Sequence, residues 1–182
     1  MSQRVALYFR SLFDGVSPVL DLGSGKGDFL WDGAVGVDLD VSGLVGSGHR
    51  VVQADAHARL PFVDGAFAGV LAKDIIEHVA SPRDVLQEVR RIARPGAVLV
   101  VTTPRAVPRA VWADYTHVRG FTRGAIHNLM RDTGWDLVKL SRMGGVPLAG
   151  RLDAVRHTPK ILAIPGIGHY FGTNWLAIAR RG

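Results

Sequence analysis

Along the chain, short β-rich apolar runs alternate with segments of helical spacing, the pattern of a doubly wound α/β sheet. Gln3 to Phe13 reads as a lead-in helix with Val5, Leu7, Tyr8, Leu12 and Phe13 as its apolar face. Ser17 to Leu22 reads as a first strand stopped by glycines. A short helix over about Asp28 to Trp31 then leads to a second strand, Ala34 to Asp38. The stretch Val41 to Gly48 holds three glycines, so any helix there is stunted. Arg50 to Gln53 and Ala66 to Ala72 read as the third and fourth strands.

The best-signalled helix follows. Ser81 is a good N-cap, Pro82 fits the first helical position and Asp84 favours the positive end of the dipole. Val85, Leu86, Val89 and Ile92 then recur with helical spacing. Arg94-Pro95-Gly96 is expected to end this helix, and Ala97 to Thr102 to form a buried strand. Thr122 caps a further helix running to about Asp132, stopped by Gly134. Trp135 to Leu140 and Thr173 to Ala179 are the last two strands. No repeat or long linker interrupts the chain, so a single domain over residues 1–182 is expected. Residues 1–15 form its lead-in helix, and long loops fall at 104–121 and 143–172.

Composition narrows the chemistry. Apolar residues make up 47% of the 182 and charged residues 21%, a globular balance. The absence of cysteine excludes disulfides, thiolate metal sites and a cysteine nucleophile, and suits a reducing cytoplasm. The first ten residues lack the apolar core of a signal peptide. No apolar run approaches the roughly 20 residues of a membrane span. A soluble cytoplasmic protein is the expectation. The net charge of +6 is uneven: residues 1–80 carry −4 and residues 81–182 carry +10. An acidic front and a basic back suggest different ligands for the two halves, although basic residues also serve simply to solubilise a surface.

The turn Asp21-Leu22-Gly23-Ser24-Gly25-Lys26-Gly27 carries the clearest chemical signal. A phosphate loop would need Gly-x-x-x-x-Gly-Lys-Ser/Thr, and Lys26 is followed by Gly27. A dinucleotide turn would show Gly-x-Gly-x-x-Gly, whereas the glycines here stand at 23, 25 and 27. A carboxylate at Asp21 opposes a pyrophosphate but suits the sulfonium and ammonium of S-adenosylmethionine. Asp38 ends the second strand, where it can accept from both ribose hydroxyls. Asp55 follows the third strand, where it can accept from the adenine amino group while the Ala56 N–H meets a ring nitrogen. Each acid alone is more often a turn residue, but three at consecutive strand ends are hard to place by chance.

With these residues the chain resembles the class I S-adenosylmethionine-dependent methyltransferases of the type 11 group. The resemblance rests on Val19 to Asp28, Gly36 to Asp40, Gln53 to Ala56, Leu60 to Phe67, Ile76 to Val79 and Glu88 to Gly96, in that order. It implies a Rossmann-like, seven-stranded α/β sheet with an antiparallel last strand, and S-adenosylmethionine as cofactor. Contacts to that cofactor are expected from Asp21, Gly23, Ser24, Gly25, Gly27, Asp38, Leu39, Asp55, Ala56 and the backbone near Lys73. The Lys73 side chain should turn away from a cationic ligand or pair with Asp74.

The acceptor side is expected in the loops. Asp114 to Thr122 brings a carboxylate, a phenol, an imidazole and a guanidinium just past the fifth strand. His117 is the best candidate base, with Asp114 as its orienting partner. The alternative is that Thr116 and His117 brace the helix capped by Thr122, with Arg119 tying down the loop. His78 is a weaker candidate, and His127 reads as structural. No metal site is expected, because His49, His57 and His78 are too scattered. The segment Met143 to Tyr170 is expected to lid the acceptor pocket, or else to pack or support a homodimer. The reading is thus methyl transfer to an oxygen or nitrogen of a small-molecule acceptor, such as a sugar or secondary metabolite, with anionic groups suiting Arg105, Arg109, Arg119, Arg151 and Arg156. RNA methylation is the alternative, a non-catalytic binding subunit the third. Against RNA, the sequence shows no interleaving of aromatic and basic residues that would stack bases.

Overall fold

A computed structural model describes residues 3–143 and 173–182. The chain order is α1 (Gln3–Ser11), β1 (Val19–Leu22), β2 (Ala34–Asp38), β3 (Arg50–Gln53), β4 (Phe67–Lys73), α2 (Pro82–Ile92), β5 (Ala93–Pro104), α3 (Pro108–Val111), α4 (Arg123–Asp132), β6 (Trp135–Met143) and β7 (Asn174–Arg181). The seven strands form one sheet in the order β3-β2-β1-β4-β5-β7-β6. β1 to β5 run parallel, and β7 is antiparallel to both its neighbours. The expected fold class is therefore the one observed. Strand order reverses beside β1, so the carboxyl ends of β1, β2 and β4 open on a crevice where such sheets take ligands.

Alternation along the strands divides the core between the two faces. Leu20, Leu22, Val70, Ala72, Leu99 and Val101 pack with α2 and α4, including Val85, Leu86, Val89, Ile126 and Met130. Val19, Leu71, Val98 and Val100 point the other way, onto Phe9, Phe13 and Phe29. These central strands are covered on both faces, which is why they read as near-continuous apolar runs, with the buried polar residues Asp21, Thr102 and Thr103 toward their carboxyl ends.

Three local expectations are corrected. The lead-in helix buries Phe9, and Phe13 is buried just beyond its end, whereas Val5, Leu7 and Tyr8 are exposed; a short helix against one face of the sheet needs only a narrow stripe, and the aromatic rings fill it. The segment Asp28 to Trp31 forms turns rather than a helix. Phe29 instead meets Phe9 edge-on at 5.4 Å, and Trp31 lies against Phe13, so side-chain packing replaces a helix too short to be stable. Finally, α2 stops at Ile92 and Ala93 is already extended, because a residue preceding proline disfavours the helical region and Pro95 imposes that on Arg94. Arg94, Pro95 and Gly96 loop out of β5, and the β4–β5 register shifts there.

Both predicted caps are in place: the Ser81 hydroxyl accepts from the Asp84 N–H, and Thr122 accepts from the Ala125 N–H. Ser81→Ala is expected to cost roughly 0.5–2 kcal/mol, read as a lowered midpoint in denaturant with unchanged slope. Among the described residues no helix is long and apolar enough to cross a membrane.

Candidate functional site

A cleft of about 200 Å³ opens at the carboxyl edge of β1, β2 and β4. Gly23, Asp38, Leu39, Asp55, Ala56 and His78 line it, so five of the ten expected cofactor residues share one cavity. Asp21, one residue before the end of β1, is only 1% exposed, and its Oδ2 has no hydrogen-bond partner among the described residues. Burial pushes its carboxyl up to about 7; the Lys73 charge pulls it down and the Asp38 charge pushes it up. A buried acid with an unmatched oxygen is costly unless a cation meets it, and S-adenosylmethionine carries two cationic groups. The residues present therefore fit that cofactor.

The first N–H groups of the glycine turn are all engaged within the protein. The Gly23 and Ser24 N–H groups both donate to the Val37 carbonyl, at 2.8 and 3.0 Å, and the Gly25 N–H donates to Asp38 Oδ2 at 2.7 Å. The turn is thereby clamped to the end of β2. A Cβ on Gly23 would lie 2.8 Å from Ile75, one on Gly27 would lie 2.7 Å from Leu44, and one on Gly25 would meet nothing. Two of the glycines thus allow close packing, and Gly25, with φ +52°, leaves an open face toward ligand. Ser24 turns its hydroxyl inward over Gly36, buried and without a partner.

Asp38 Oδ1 also accepts from the Asp40 N–H at 3.2 Å. Asp55 Oδ1 accepts from the His57 N–H and contacts His57 Nδ1, both at 2.8 Å, which holds its carboxyl below the usual range. Lys73 does pair with Asp74, and its ammonium lies 5.0 Å over the Phe29 ring, so its charge is masked at the cleft. Asp74 adopts φ +51°, unusual for a residue other than glycine. It accepts from the Thr102 hydroxyl at 2.6 Å and donates its N–H to the Thr102 carbonyl at 3.1 Å. Such over-determined strain is typical of functional sites.

The second cluster lies beside the first. The loop after α3 is tied to the loop after β4: the Val118 N–H donates to the Glu77 carbonyl at 3.0 Å, and Arg119 donates to the Ala80 carbonyl at 2.9 Å. This places His117 against Glu77, with Nε2 to Oε1 at 4.0 Å, and against His78, with ring centroids 4.7 Å apart. Glu77 is 1% exposed, and neither carboxylate oxygen makes a hydrogen bond of good geometry. Burial pushes Glu77 up to about 7, with the Asp74 charge adding to the rise; its own backbone, Thr103 and His117 pull it back.

Asp114 is not the partner that orients His117. Its carboxylate accepts from the Thr116 N–H at 2.9 Å and the Thr116 hydroxyl at 2.6 Å, a local turn that competes successfully for the acid. These bonds hold the Asp114 carboxyl below its usual range. His117 Nδ1 instead lies 2.7 Å from the Val111 carbonyl. A carbonyl can only accept, so Nδ1 carries the proton and the Nε2 lone pair faces Glu77. Sequence reasoning passed over Glu77, although an acid flanked by Ile75, Ile76 and Val79 was the available signal.

The fold and the acidic cleft define the class, a Rossmann-like protein built around S-adenosylmethionine. Within it, residues 2–140 match a family model described as a methyltransferase domain, and the chain belongs to the S-adenosylmethionine-dependent methyltransferases. A demethylmenaquinone methyltransferase of Beutenbergia cavernae is 37% identical over 114 residues; the match covers 57% of this chain and 46% of that enzyme, less than half its length. The fold is shared with a methyltransferase of Archaeoglobus fulgidus (TM-score 0.72, 19% identity, 99% and 95% of the two chains covered). It is shared too with the 1,6-didemethyltoxoflavin N1-methyltransferase of Burkholderia thailandensis, solved with S-adenosylhomocysteine bound (TM-score 0.66, 20% identity, 98% and 77% covered).

Proposed function

We propose that this protein transfers the methyl group of S-adenosylmethionine to an oxygen or nitrogen of a small-molecule acceptor bound beside Glu77, His78 and His117. The observation that carries the reading is their place: His78 lines the cofactor cleft and also touches His117. When bound, the cofactor supplies a methyl group activated by its sulfonium. Asp21 meets its cationic portion, and Asp38, Leu39, Asp55 and Ala56 hold ribose and adenine. His117 Nε2 would take the proton of the acceptor, and the bound cofactor would supply the methyl group to the acceptor atom that loses it. Asp114 supports His78 at one remove, through Thr116. The protein's main contribution is alignment, which can supply roughly 7–11 kcal/mol in a displacement of this kind.

The two named enzymes above methylate small molecules, and the basic second half supports an acceptor with a negative charge. Arg151 and Arg156 of the expected acceptor cluster, and the expected lid from 144 to 170, lie outside the described residues. Arg105 rests on the Trp175 ring, 5.5 Å from its centroid, and Arg119 holds the Ala80 carbonyl. Against RNA stands the engagement of the outer arginines. Arg90 donates to the Gly134 carbonyl, Arg91 to Glu88, Asp64 and two carbonyls, and Arg94 to the Gly65 and Ala66 carbonyls. Arg91 above all is committed to two carboxylates and two carbonyls, which leaves little of it for a phosphate. The cysteine-free composition suits the cytoplasm.

The test is a methyl-transfer screen of small acidic phenols and glycosides beside an RNA retention assay at two salt concentrations. Turnover of a small acceptor with weak RNA retention is expected; tight, salt-sensitive retention without small-molecule turnover overturns the reading. Asp38→Ala should weaken cofactor binding by roughly 1.5–3 kcal/mol, as expected for a charged hydrogen bond. Unchanged affinity by calorimetry removes Asp38 from the site.

A further inference from the structure

Glu77, His78 and His117 offer one ligand atom each, and the three atoms lie within 4.8 Å of one another. Proximity alone would say little, but the hydrogen bonds around the cluster place a donor proton on Nδ1 of each imidazole. His117 Nδ1–H donates to the Val111 carbonyl at 2.7 Å, which leaves Nε2 as a bare lone pair. His78 Nδ1 faces the Thr116 hydroxyl oxygen at 3.1 Å and the Thr116 carbonyl at 3.3 Å. The Thr116 hydroxyl spends its own proton on Asp114 at 2.6 Å, so both oxygens facing His78 can only accept. His78 therefore also carries its proton on Nδ1 and leaves Nε2 bare. Each imidazole is held through Nδ1, which turns Nε2 away from that hydrogen bond, the orientation found in metal-bound histidines. Beside them stands a carboxyl that is 1% exposed, with neither oxygen in a hydrogen bond of good geometry among the described residues, so it has less compensation than a buried acid ordinarily has.

We infer that Glu77, His78 and His117 form a binding site for one divalent transition-metal cation at the rim of the cofactor cleft. Two nitrogen donors and one oxygen donor favour zinc or a later transition metal such as cobalt over magnesium and calcium, which take all-oxygen shells. Metal bonds near 2.1 Å place neighbouring donors roughly 3–3.5 Å apart, so the side chains draw in by about an ångström. Three protein ligands leave coordination positions open. Asp114 then has a place: through Thr116 it fixes the ring and tautomer of His78, as outer carboxylates do for metal-bound histidines. Spacing in sequence concealed the site, because His117 stands 39 residues from His78 and arrives only through the loop tied to Glu77 and Ala80. With the cation bound, His117 is a ligand and the cation's charge eases loss of the acceptor proton. Cation binding itself is independent of the methyl-transfer reading and can be measured without cofactor or acceptor.

The experiment is titration of the chelator-treated protein with Co²⁺, following visible d–d absorption and heat. One equivalent should bind with the intense bands of a site of low coordination number. Glu77→Gln and His117→Ala should each weaken binding at least tenfold, with circular dichroism confirming the fold. Thr116→Val, which removes one of the two oxygens that hold His78 Nδ1 and removes no ligand, should weaken it less, and His127→Ala not at all. Absence of stoichiometric binding, or binding unchanged in Glu77→Gln and His117→Ala, overturns the assignment. Cofactor affinity measured on the same samples tells a failed cation site from a failed methyltransferase site, because Asp21 and Asp38 are untouched.

Discussion

Asp21→Asn is expected to make the cofactor-free protein more stable at pH 8 while nearly abolishing cofactor binding. The Asp21 carboxyl is raised to about 7 by burial, against an unfolded value near 3.9. Between those values the folded state holds a proton that the unfolded state releases, so stability falls as pH rises. The loss begins near pH 4 and is complete above about 7. Three units at ~1.4 kcal/mol each set an upper bound of roughly 4 kcal/mol. The asparagine amide still needs hydrogen bonds, so a gain of roughly 2–4 kcal/mol in denaturant melts at pH 8 is the expected result, shrinking toward zero at pH 4. The same linkage makes cofactor affinity in the native protein rise about fivefold between pH 6 and pH 7, because a cation selects the carboxylate. Binding at pH 7 should release about half a proton, measurable by calorimetry in buffers of different ionisation enthalpy. A native-like Kd in the variant, with no proton release in the native protein, would remove Asp21 from the cofactor site.

His117→Ala is expected to lower kcat by roughly 10²–10⁴-fold while leaving cofactor affinity unchanged. The side chain contacts Val111, Glu77 and His78 and none of the residues at the adenosine end of the cleft. Its loss should therefore fall on the chemical step rather than on cofactor binding. Bracing is the competing role, since the ring holds the Val111 carbonyl and thereby the end of α3. Full turnover with a lowered melting temperature would assign it that role and refute a part in catalysis.

The strands of this fold were legible because each buried strand is a short apolar run bounded by glycine, proline or acid, and such runs leave few alternatives. Helix α2 was legible from Ser81, Pro82 and its apolar spacing, which all favour the same start. The turn at Asp28 to Trp31 was not, because what decides it is Phe29 reaching Phe9 across the sheet, a contact without a local signature. The same holds for α1, where Phe9 rather than Leu7 or Tyr8 faces inward. At the site, Asp21, Asp38 and Asp55 could be read from their places at strand ends. Glu77 was signalled only by its apolar neighbours Ile75, Ile76 and Val79, since its burial depends on two loops meeting. The expected pairing of Asp114 with His117 failed for a related reason: Thr116, two residues on from the acid, captures it first.

The turns that follow β1 have a consequence for ligand charge. A helix starting there would present unpaired N–H groups worth roughly half a positive charge at its N-terminus, the feature that lets related sheets hold pyrophosphate. Here the first two N–H groups of the turn are spent on the Val37 carbonyl and the third on Asp38. What remains at the inner end of the turn is Asp21 and Asp38 beside a lysine paired with Asp74, while Lys26 faces outward and is exposed. The floor of the cleft is thus acidic, and it sorts nucleosides by sign as well as by shape. An adenosine bearing a sulfonium is drawn in, whereas the same adenosine bearing phosphates is repelled.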